Sequence, residues 1–313
     1  MISLADIEAA AARIRPYVRR TPSFRVEAVA ERPTEARLAL KLECLQATGS
    51  FKARGATNKL LTTPKEALAA GVVTASGGNH GLAVARAARL AGVPGTIFVP
   101  STATPEKIDK LRQWGATVEV VGDVWNDSHA AALAFAKEHG AAYFHPFADP
   151  AVVAGQGTTA LELLDEVPDL DAVVVAIGGG GLISGMGVAL KALKPSVRII
   201  GVEPVGSPTL KASLDAGHVV RLPEVTTRVA TMSCAETDPG VYALVRDHVD
   251  EVVLVSDEEL LEASRWLWFE LGIAADLSGA ASVAALRSGK VAFAPGQSVA
   301  GLVCGAGPDG IAG

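Results

Sequence analysis

Short, continuously apolar runs alternate along the chain with longer segments in which apolar residues recur at helical spacing. Residues 72–75 and 173–177 are two such apolar runs, and each leads directly into a glycine-rich turn. Strands that are apolar on both faces are typical of parallel sheets covered by helices on either side. The pattern therefore predicts an α/β protein with doubly wound parallel sheets, in which ligands lie at the carboxyl ends of the strands.

The same pattern places the individual elements. Strands are predicted at residues 38–42, 72–75, 96–99, 118–121, 141–144, 173–177, 197–202, 251–255 and 298–303. Helices are predicted at residues 4–15, 51–61, 81–91, 105–113, 127–138, 158–165, 257–271 and 279–287, and from the glycine turn after residue 177 to about residue 193. Ser50 is predicted to cap helix 51–61, and Thr159 and Glu162 to form a capping box in helix 158–165.

Composition and charge narrow the class of protein. The 313 residues suffice for two domains, and 49% hydrophobic against 20% charged residues argues against disorder. The net charge of −6, without any run of Lys or Arg, argues against nucleic acid or an anionic membrane as partner. The three cysteines are widely spaced, Asp6 and Glu8 stand where a signal peptide is apolar, and no stretch is long enough to span a membrane. These features predict a cytoplasmic protein.

Lys52 lies in the segment SFKARGA at residues 50–56, within the first predicted turn of helix 51–61. A positive charge is disfavoured at a helix N-terminus, so the pKa of the amine should be lowered and its nucleophilic form favoured. Such a lysine can form a Schiff base with an aldehyde. Taken alone, the segment fits a solvated surface lysine better, because a single short motif is weak evidence.

The segment SGGNHG at residues 76–81 follows strand 72–75 and opens the next helix. Consecutive small residues here expose backbone N–H groups, which can hold a carboxylate or a phosphate. Asn79 is in addition a candidate donor to a phenolic oxygen, whereas His80 is given no catalytic role. A tight turn with an incidental Asn would explain the same segment.

The segment GGGGL at residues 178–182 joins strand 173–177 to a helix, an arrangement that cradles a phosphate at the helix N-terminus. Glu203 lies about 20 residues further on, where the ribose-binding acid of a dinucleotide site would stand, so NAD and other phosphate ligands both remain open. Strand 298–303 leads into a glycine-containing turn that begins with Cys304. A free cysteine at this position is also typical of a buried residue with a purely structural role.

Taken in order, these segments resemble the fold-type-II pyridoxal-5′-phosphate (PLP) enzymes, and within them the threonine/serine dehydratase (threonine ammonia-lyase) and serine racemase family. The resemblance covers nearly the whole chain and includes RTP at 20–22, KLE at 41–43, HPF at 145–147, AGQGT at 154–158 and GVEP at 201–204. It implies a tryptophan synthase β-like fold with PLP between two doubly wound domains. These would be a large domain of residues 1–70 and 149–313, and a small, mobile domain of residues 71–148.

The resemblance also implies a role for each site residue. Lys52 would carry PLP as a Schiff base and would be the base for the α-proton. Phe51 and Asn79 would flank the ring, with Asn79 on its 3′ oxygen, and Cys304 would face the pyridine nitrogen, where Ser or Thr is usual. The phosphate would lie on Gly178, Gly179, Gly180, Gly181 and Leu182, and the substrate carboxylate on Ser76, Gly77, Gly78, Asn79 and His80.

Departures from the family pattern bear on the reaction. Racemases of the group carry a serine where this chain has Gly77, so elimination is favoured over racemisation. Some relatives hold a divalent cation through a Glu, a backbone carbonyl and an Asp. Glu203 and the carbonyl of Ser207 match two of these ligands, but Thr209 replaces the Asp, and a hard cation prefers more carboxylate, so no metal site is predicted.

Three further departures leave details open. A neutral thiol at Cys304 would give a weaker electron sink that suffices for elimination, whereas a thiolate, which an unperturbed pKa of about 8.5 leaves open, would change that argument. Asp276 stands where a Glu-Pro-Ala-Gly segment is usual, and its role is unassigned. Residues 224–240 match the family poorly and are predicted to shape the substrate pocket.

The predicted function is the PLP-dependent conversion of a small β-hydroxy amino acid of the threonine or serine type to a 2-keto acid and ammonia. On the same scaffold, the alternatives are a racemase, a β-replacement enzyme or an enzyme that catalyses β-elimination on a substrate of the hydroxyaspartate or phenylserine type. A non-catalytic or nicotinamide-dependent protein that uses the turn at 178–182 is the alternative from another class. A homodimer is implied by the resemblance.

Overall fold

The computed structural model describes residues 1–311 and arranges ten strands in two sheets. The strands are β1 (Ser23–Arg25), β2 (Arg37–Lys41), β3 (Val72–Ala75), β4 (Gly95–Val99), β5 (Thr117–Val120), β6 (Ala142–Tyr143), β7 (Ala172–Ala176), β8 (Arg198–Pro204), β9 (Glu251–Val255) and β10 (Ser298–Leu302). The larger sheet has the order β1-β2-β10-β7-β8-β9 and the smaller sheet the order β5-β4-β3-β6. The predicted α/β fold class with two sheets is confirmed.

The sheets are parallel apart from one edge. β1 pairs antiparallel with β2, from Ser23 opposite Lys41 to Arg25 opposite Ala39, while the other paired strands run parallel. β1 was not predicted, because three residues that are at most partly buried carry no hydrophobic period. The central strands β7 and β10 are buried along their whole length, as strands covered on both faces must be.

Helices cover both sheets. They are α1 (Leu4–Ile14), α2 (Lys52–Thr62), α3 (Lys65–Leu68), α4 (Asn79–Ala91), α5 (Pro105–Gln113), α6 (Trp125–His139), α7 (Pro150–Glu166), α8 (Gly181–Leu193), α9 (Thr209–Ala216), α10 (Pro239–His248), α11 (Asp257–Leu271) and α12 (Ala281–Arg287). In residues 1–311, no helix combines the length and the apolar character needed to cross a bilayer.

The start of α7 differs from the prediction. The helix begins at Pro150, and Asp149 is its N-cap, accepting hydrogen bonds from the N–H groups of Ala151 and Val152. The capping box predicted at Thr159 and Glu162 is therefore wrong. Both residues lie inside the helix, because the Asp-Pro pair at 149–150 is the stronger start signal.

The start of α2 also differs, and the difference places Lys52. Ser50 is extended and pairs with Gly305, while the N–H of Phe51 donates to the carbonyl of Cys304. The N-cap is consequently Phe51, and the prediction that Ser50 caps the helix is wrong. The backbone pairing fixes the first turn of α2, which holds Lys52, against the end of β10.

A buried ionic network anchors the rest of α2. The Arg54 guanidinium donates to both carboxylate oxygens of Glu43 and of Glu162 over 2.7–2.8 Å. The amine of Lys41, at the end of β2, lies 3.0 Å from Glu162. Removing one member would leave an unpaired buried charge, at a cost of about 3–5 kcal/mol. The network thus holds the helix that presents Lys52 against β2 and α7.

The smaller sheet has its own apolar packing on both faces. Leu82 and Val84 of α4 pack with Ile97 on one face, and Ala132 of α6 packs with Phe98 on the other. Its four strands all lie within residues 71–148. The division of the chain at residues 70/71 and 148/149 stays a prediction.

Candidate active site

The carboxyl ends of β7 and β10 face a cavity of about 390 Å³, which includes its open mouth. It is lined by Phe51, Lys52, Phe147, Ala176, Gly178, Gly179, Gly180, Gly181, Leu182, Thr231, Met232, Ser278 and Cys304. The folded chain thus brings together every residue predicted to bind the cofactor except Asn79, which lies beside the cavity near Gly305. A cavity at the carboxyl end of a parallel sheet is where such folds bind ligands.

Lys52 lies in the interior of the protein, and part of its side-chain surface remains accessible to solvent. Its Nζ donates to the carbonyl oxygen of Pro146 at 2.7 Å and lies 5.1 Å from the centre of the Phe51 ring. Burial lowers the pKa of Lys52 to about 8. The direction of the shift is the predicted one, and desolvation is its main cause. About a tenth of the amine is therefore unprotonated, and hence nucleophilic, at pH 7, far more than for a lysine with an ordinary pKa.

The turn after β7 forms a cradle of backbone groups. Gly180 has φ +94° and is the N-cap of α8, and no side chain within residues 1–311 caps this helix. The carbonyls of Gly179 and Gly180 accept hydrogen bonds from the hydroxyls of Thr237 and Ser184. The N–H groups of the first turn remain for an anion, which the helix dipole also favours. A phosphate fits this cradle.

Steric limits explain why the cradle consists of glycines. A Cβ atom at Gly179 would lie 2.1 Å from the Phe147 ring, and one at Gly181 would lie 2.6 Å from the Phe147 carbonyl oxygen. At Gly178 it would lie 2.9 Å from the carbonyl oxygen of Thr231. Each distance is too short for a real Cβ atom, so the backbone and Phe147 pack closely only because side chains are absent.

Cys304 forms part of the opposite wall. It is 2% exposed, and its Sγ lies 3.7 Å from the hydroxyl oxygen of Ser278. Burial, together with the nearby carboxyl of Asp276, raises the pKa of the thiol. Cys304 is therefore a neutral thiol near neutral pH, which removes the thiolate alternative. Ser278 was not predicted, and its only signal in the sequence is a hydroxyl in the short glycine-containing segment after Asp276.

Asp276 connects the two sides of the cleft. One carboxylate oxygen accepts a hydrogen bond from Asn79 Nδ2 at 2.8 Å, and the other accepts from Ser278 Oγ at 2.7 Å and from the N–H of Gly279 at 2.6 Å. Burial raises the pKa of Asp276, while these hydrogen bonds oppose the shift. The residue without an assigned role in the sequence thus orients the amide of Asn79, whose second N–H is left for a ligand.

The turn after β3 presents backbone N–H groups from the smaller sheet. Gly78 is the N-cap of α4 and has no side-chain hydrogen bond to satisfy the first turn among the described residues. The hydroxyl of Ser76 accepts from the N–H of Gly78. His80 points into the protein, where its Nε2 donates to the carbonyl of Phe144 at 3.0 Å. Burial lowers the pKa of His80 to about 3, so only its backbone N–H is available to a carboxylate.

A segment from residues 224–240 forms the third wall. Thr231 and Met232 line the cavity. The Thr231 methyl lies 3.7 Å from the position of a Cβ atom at Gly78, and its carbonyl packs on Gly178. The stretch predicted to shape the pocket therefore contacts both glycine turns at once.

The residues that match the family's cation ligands do not fit a cation. Both carboxylate oxygens of Glu203 accept hydrogen bonds from the N–H groups of Leu210 and Lys211, at 2.8 and 2.9 Å. The hydroxyls of Ser207 and Thr209 both donate to the carbonyl of Cys234. Within residues 1–311, no group of three or more His, Cys, Asp or Glu side chains has the arrangement of a metal site.

Comparisons with known proteins agree with this geometry. The family model described as "Pyridoxal-phosphate dependent enzyme" matches residues 14–305. The chain belongs to this family. L-threonine ammonia-lyase of Geobacter sulfurreducens is 40% identical over 96% of this chain and 74% of that protein.

Two solved structures share the fold of this chain. Maize serine racemase superposes with a TM-score of 0.91 at 34% identity, covering 97% of this chain and 93% of that one. The processed form of threonine deaminase isoform 2 from Solanum lycopersicum superposes with a TM-score of 0.90 at 31% identity, covering 97% and 83%. The two-sheet arrangement is that of the fold-type-II PLP enzymes, and PLP is the cofactor. A glycine cradle for its phosphate and a partly neutral lysine in one cavity fit that cofactor.

Proposed function

We propose that this PLP-dependent enzyme is an ammonia-lyase that converts a small β-hydroxy amino acid, of the threonine or serine type, into a 2-keto acid and ammonia. The observation that carries the proposal is the Lys52 amine, with a pKa lowered to about 8, in the cavity that contains the glycine cradle. The 40% identity to an L-threonine ammonia-lyase supports the same reaction.

Each part of the site has a role in this reaction. Bound PLP supplies the electron sink for the electron pair left when the α-proton is removed. Lys52 would hold the cofactor through its amine, and that amine, when free, would accept the α-proton. The N–H groups of residues 178–182 hold the cofactor phosphate, and those of residues 76–80 hold the substrate carboxylate. Phe51 and Asn79 would hold the ring, and Asn79 would be the donor to its 3′ oxygen.

The bonds that change define the products. The substrate loses its α-hydrogen and its β-hydroxyl together as water, and the resulting enamine takes up water to give the 2-keto acid and ammonia. Cys304 supports this route because a neutral thiol at the pyridine nitrogen would not keep that nitrogen protonated as a carboxylate would. The weaker electron sink suffices when a leaving group is present at the β-carbon.

Racemisation is the second candidate, because serine racemases share this fold. It requires an acid on the face of the substrate opposite Lys52, and the resemblance to racemases assigns that role to a serine at the position of Gly77. A glycine has no side chain to return the proton, so elimination is the better-supported reaction.

The decisive experiment combines a product assay with a lysine variant. The purified enzyme with PLP should release keto acid and ammonia from L-threonine or L-serine, and borohydride reduction followed by digestion should find the cofactor attached to the peptide that contains Lys52. Lys52→Ala should lose both signals and keep its fold. Lys59→Ala, in the same helix and paired with Asp149 on the outside of the cavity, is the matched control and should keep both. Cofactor attached elsewhere would overturn the assignment.

The residue at the pyridine nitrogen offers a second test. Cys304→Ser exchanges one neutral side chain for another, so we expect it to retain appreciable lyase activity with PLP bound. Complete loss of activity in the PLP-loaded variant would contradict the role assigned to the thiol.

Assembly and location complete the proposal. We infer a homodimer, as the resemblance to the threonine/serine dehydratase and serine racemase family implies. Light scattering of the purified enzyme would measure the mass directly. We infer a cytoplasmic location, because Cys44, Cys234 and Cys304 are all free thiols. Fractionation of cells that produce the enzyme would test this.

A further inference from the structure

Two buried hydroxyl groups hold the backbone of Cys234. Ser207 Oγ accepts a hydrogen bond from the N–H of Cys234 at 3.0 Å and donates to its carbonyl at 2.9 Å. Thr209 Oγ1 donates to the same carbonyl at 2.5 Å. The two hydroxyls lie 3.4 Å apart, and both residues are at most 1% exposed. Side chains at residues 207 and 209 thus satisfy both the backbone N–H and the backbone carbonyl of Cys234.

The segment that contains Cys234 is a wall of the active site. Residues 231–237, here called the cleft segment, begin with Thr231 and Met232 in the cavity lining. They end with Thr237, whose hydroxyl donates to the carbonyl of Gly179 in the phosphate cradle. The cleft segment contains no helix or strand, so its position depends on such individual contacts. The hydroxyls of Ser207 and Thr209 hold it near its middle.

The same stretch of chain is where some relatives hold a cation, and here its carboxylate and hydroxyl groups already form hydrogen bonds within the protein. Glu203 is fully buried and satisfies the first turn of α9 through both carboxylate oxygens. Thr209, at the position of the missing acid, contributes a neutral hydroxyl that is committed to Cys234. A hard divalent cation needs several oxygen ligands with enough negative charge, and this set provides a single carboxylate, each oxygen of which already accepts a backbone hydrogen bond.

We propose that Ser207 and Thr209 are positioning residues that fix the cleft segment against the cavity, and that this hydroxyl clamp works without a divalent cation. The consequence for binding rests on the proposed function, since the cleft segment is inferred to contact the amino-acid substrate. The clamp acts on the ground state and the transition state alike, because it shapes the pocket wall and touches no reacting atom. Its loss should therefore weaken substrate binding more than it slows the chemical step.

Three variants test the clamp. Thr209→Val removes the hydroxyl at nearly constant shape and should raise KM by about 3- to 10-fold, the equivalent of one hydrogen bond, with kcat changed less than about twofold. Thr209→Ser keeps the hydroxyl and should retain the parent KM. Ser213→Ala is the matched control in the same helix. Its buried hydroxyl donates to the carbonyl of Thr209 and accepts from Val220, without touching the cleft segment.

Ser213→Ala should lower the melting temperature and leave KM unchanged. An unchanged KM in Thr209→Val, or an equal rise in Ser213→Ala, would overturn the clamp. Both outcomes differ from failure of the proposed function, in which the parent itself would form no keto acid.

A second measurement does not depend on turnover. The melting temperature of the parent holoenzyme is recorded after treatment with EDTA and again with millimolar Mg²⁺ or Ca²⁺. We expect no shift in either condition, since the site offers the cation only one carboxylate, and both of its oxygens already accept backbone hydrogen bonds. A rise in melting temperature on adding either cation, reversed by EDTA, would overturn the cation-free clamp whatever reaction the enzyme catalyses.

Discussion

Two strand–turn–helix junctions, one from each sheet, are rich in glycine. The turn after β7 lines the cavity, and the turn after β3 leads to Asn79, which lies beside the cavity and donates to Asp276. In the turn after β7, a Cβ atom at Gly179 would lie 2.1 Å from the Phe147 ring. In the turn after β3, a Cβ atom at Gly77 would lie 3.5 Å from Val99, and one at Gly78 would lie 3.7 Å from Thr231, which are ordinary contacts. Packing therefore requires glycine at residues 178, 179 and 181. In the second segment it permits a side chain at Gly77 and Gly78 but not at Gly81, where a Cβ atom would lie 2.0 Å from the carbonyl oxygen of Ser76.

The first turn should be the more sensitive to substitution. Gly179→Ala forces the Phe147 ring out of the cavity wall, and overpacking of this kind costs about 1–3 kcal/mol, so we expect PLP affinity to fall by up to about 100-fold. Titration of the apoenzyme with PLP, followed by absorbance, measures the change. Gly78→Ala is the matched control in the second turn, and its affinity should stay within about threefold of the parent. Equal effects of the two variants would contradict the steric distinction.

The hydrogen bond between Asn79 and Asp276 joins the second turn to the larger sheet. The carboxylate of Asp276 accepts from three donors, whereas an asparagine would have only one oxygen to offer them. Asp276→Asn should therefore cost about 1.5–2 kcal/mol in PLP binding, or roughly tenfold in affinity, because Asn79 loses its fixed orientation. The absorbance titration that serves for Gly179→Ala measures it.

Ser278→Ala separates this role from simple packing, since it removes one donor and leaves Asn79 bound to the carboxylate. We expect it to change PLP affinity less than Asp276→Asn does. The opposite order would indicate that the Ser278 hydroxyl, and not the orientation of Asn79, matters for the cofactor.

The two turns also differ in how far the sequence could predict their surroundings. The glycine run at 178–181, Lys52 and Cys304 line one cavity, because each follows a strand or opens a helix that local patterns identify, whereas Gly77 and Gly78 are not among its lining residues. Asp276 and Ser278 received no role, since their partners include Asn79, 197 residues away, and no local pattern encodes such a contact. The N-cap at Ser50 was predicted wrongly for the same reason, because pairing with Gly305 decides where α2 begins.

The open space at Gly77 allows a test of the choice between elimination and racemisation. Gly77→Ser should fold and bind PLP with less than about a threefold change, because its Cβ atom makes only ordinary contacts. The added hydroxyl stands where the resemblance places the racemase acid, so we expect D-serine to appear from L-serine alongside the keto acid.

Chiral chromatography of the products of Gly77→Ser detects the racemisation. Gly77→Ala fills the same space without an acid and should form no D-serine. Loss of PLP from both variants would instead show that the second turn is as closely packed as the first.

The smallest effect concerns the buried side of the second turn. Burial lowers the pKa of His80 from 6.5 to about 3, so the folded protein keeps this ring neutral while the unfolded chain protonates it below about pH 6.5. Below that pH only the unfolded state binds the extra proton. The buried His80 therefore destabilises the folded protein by an amount that increases as the pH falls. Urea unfolding of the parent and His80→Gln at pH 7.5, 6.5 and 5.5 isolates this residue, because the other titrating groups are common to both proteins. Relative to the variant, the parent should lose stability with a slope that approaches about 1.4 kcal/mol per pH unit below pH 6.5. If the difference in unfolding free energy between parent and variant did not change with pH, His80 would take up a proton in the folded state as well. Water would then reach the His80 ring as well as the glycines of the turn.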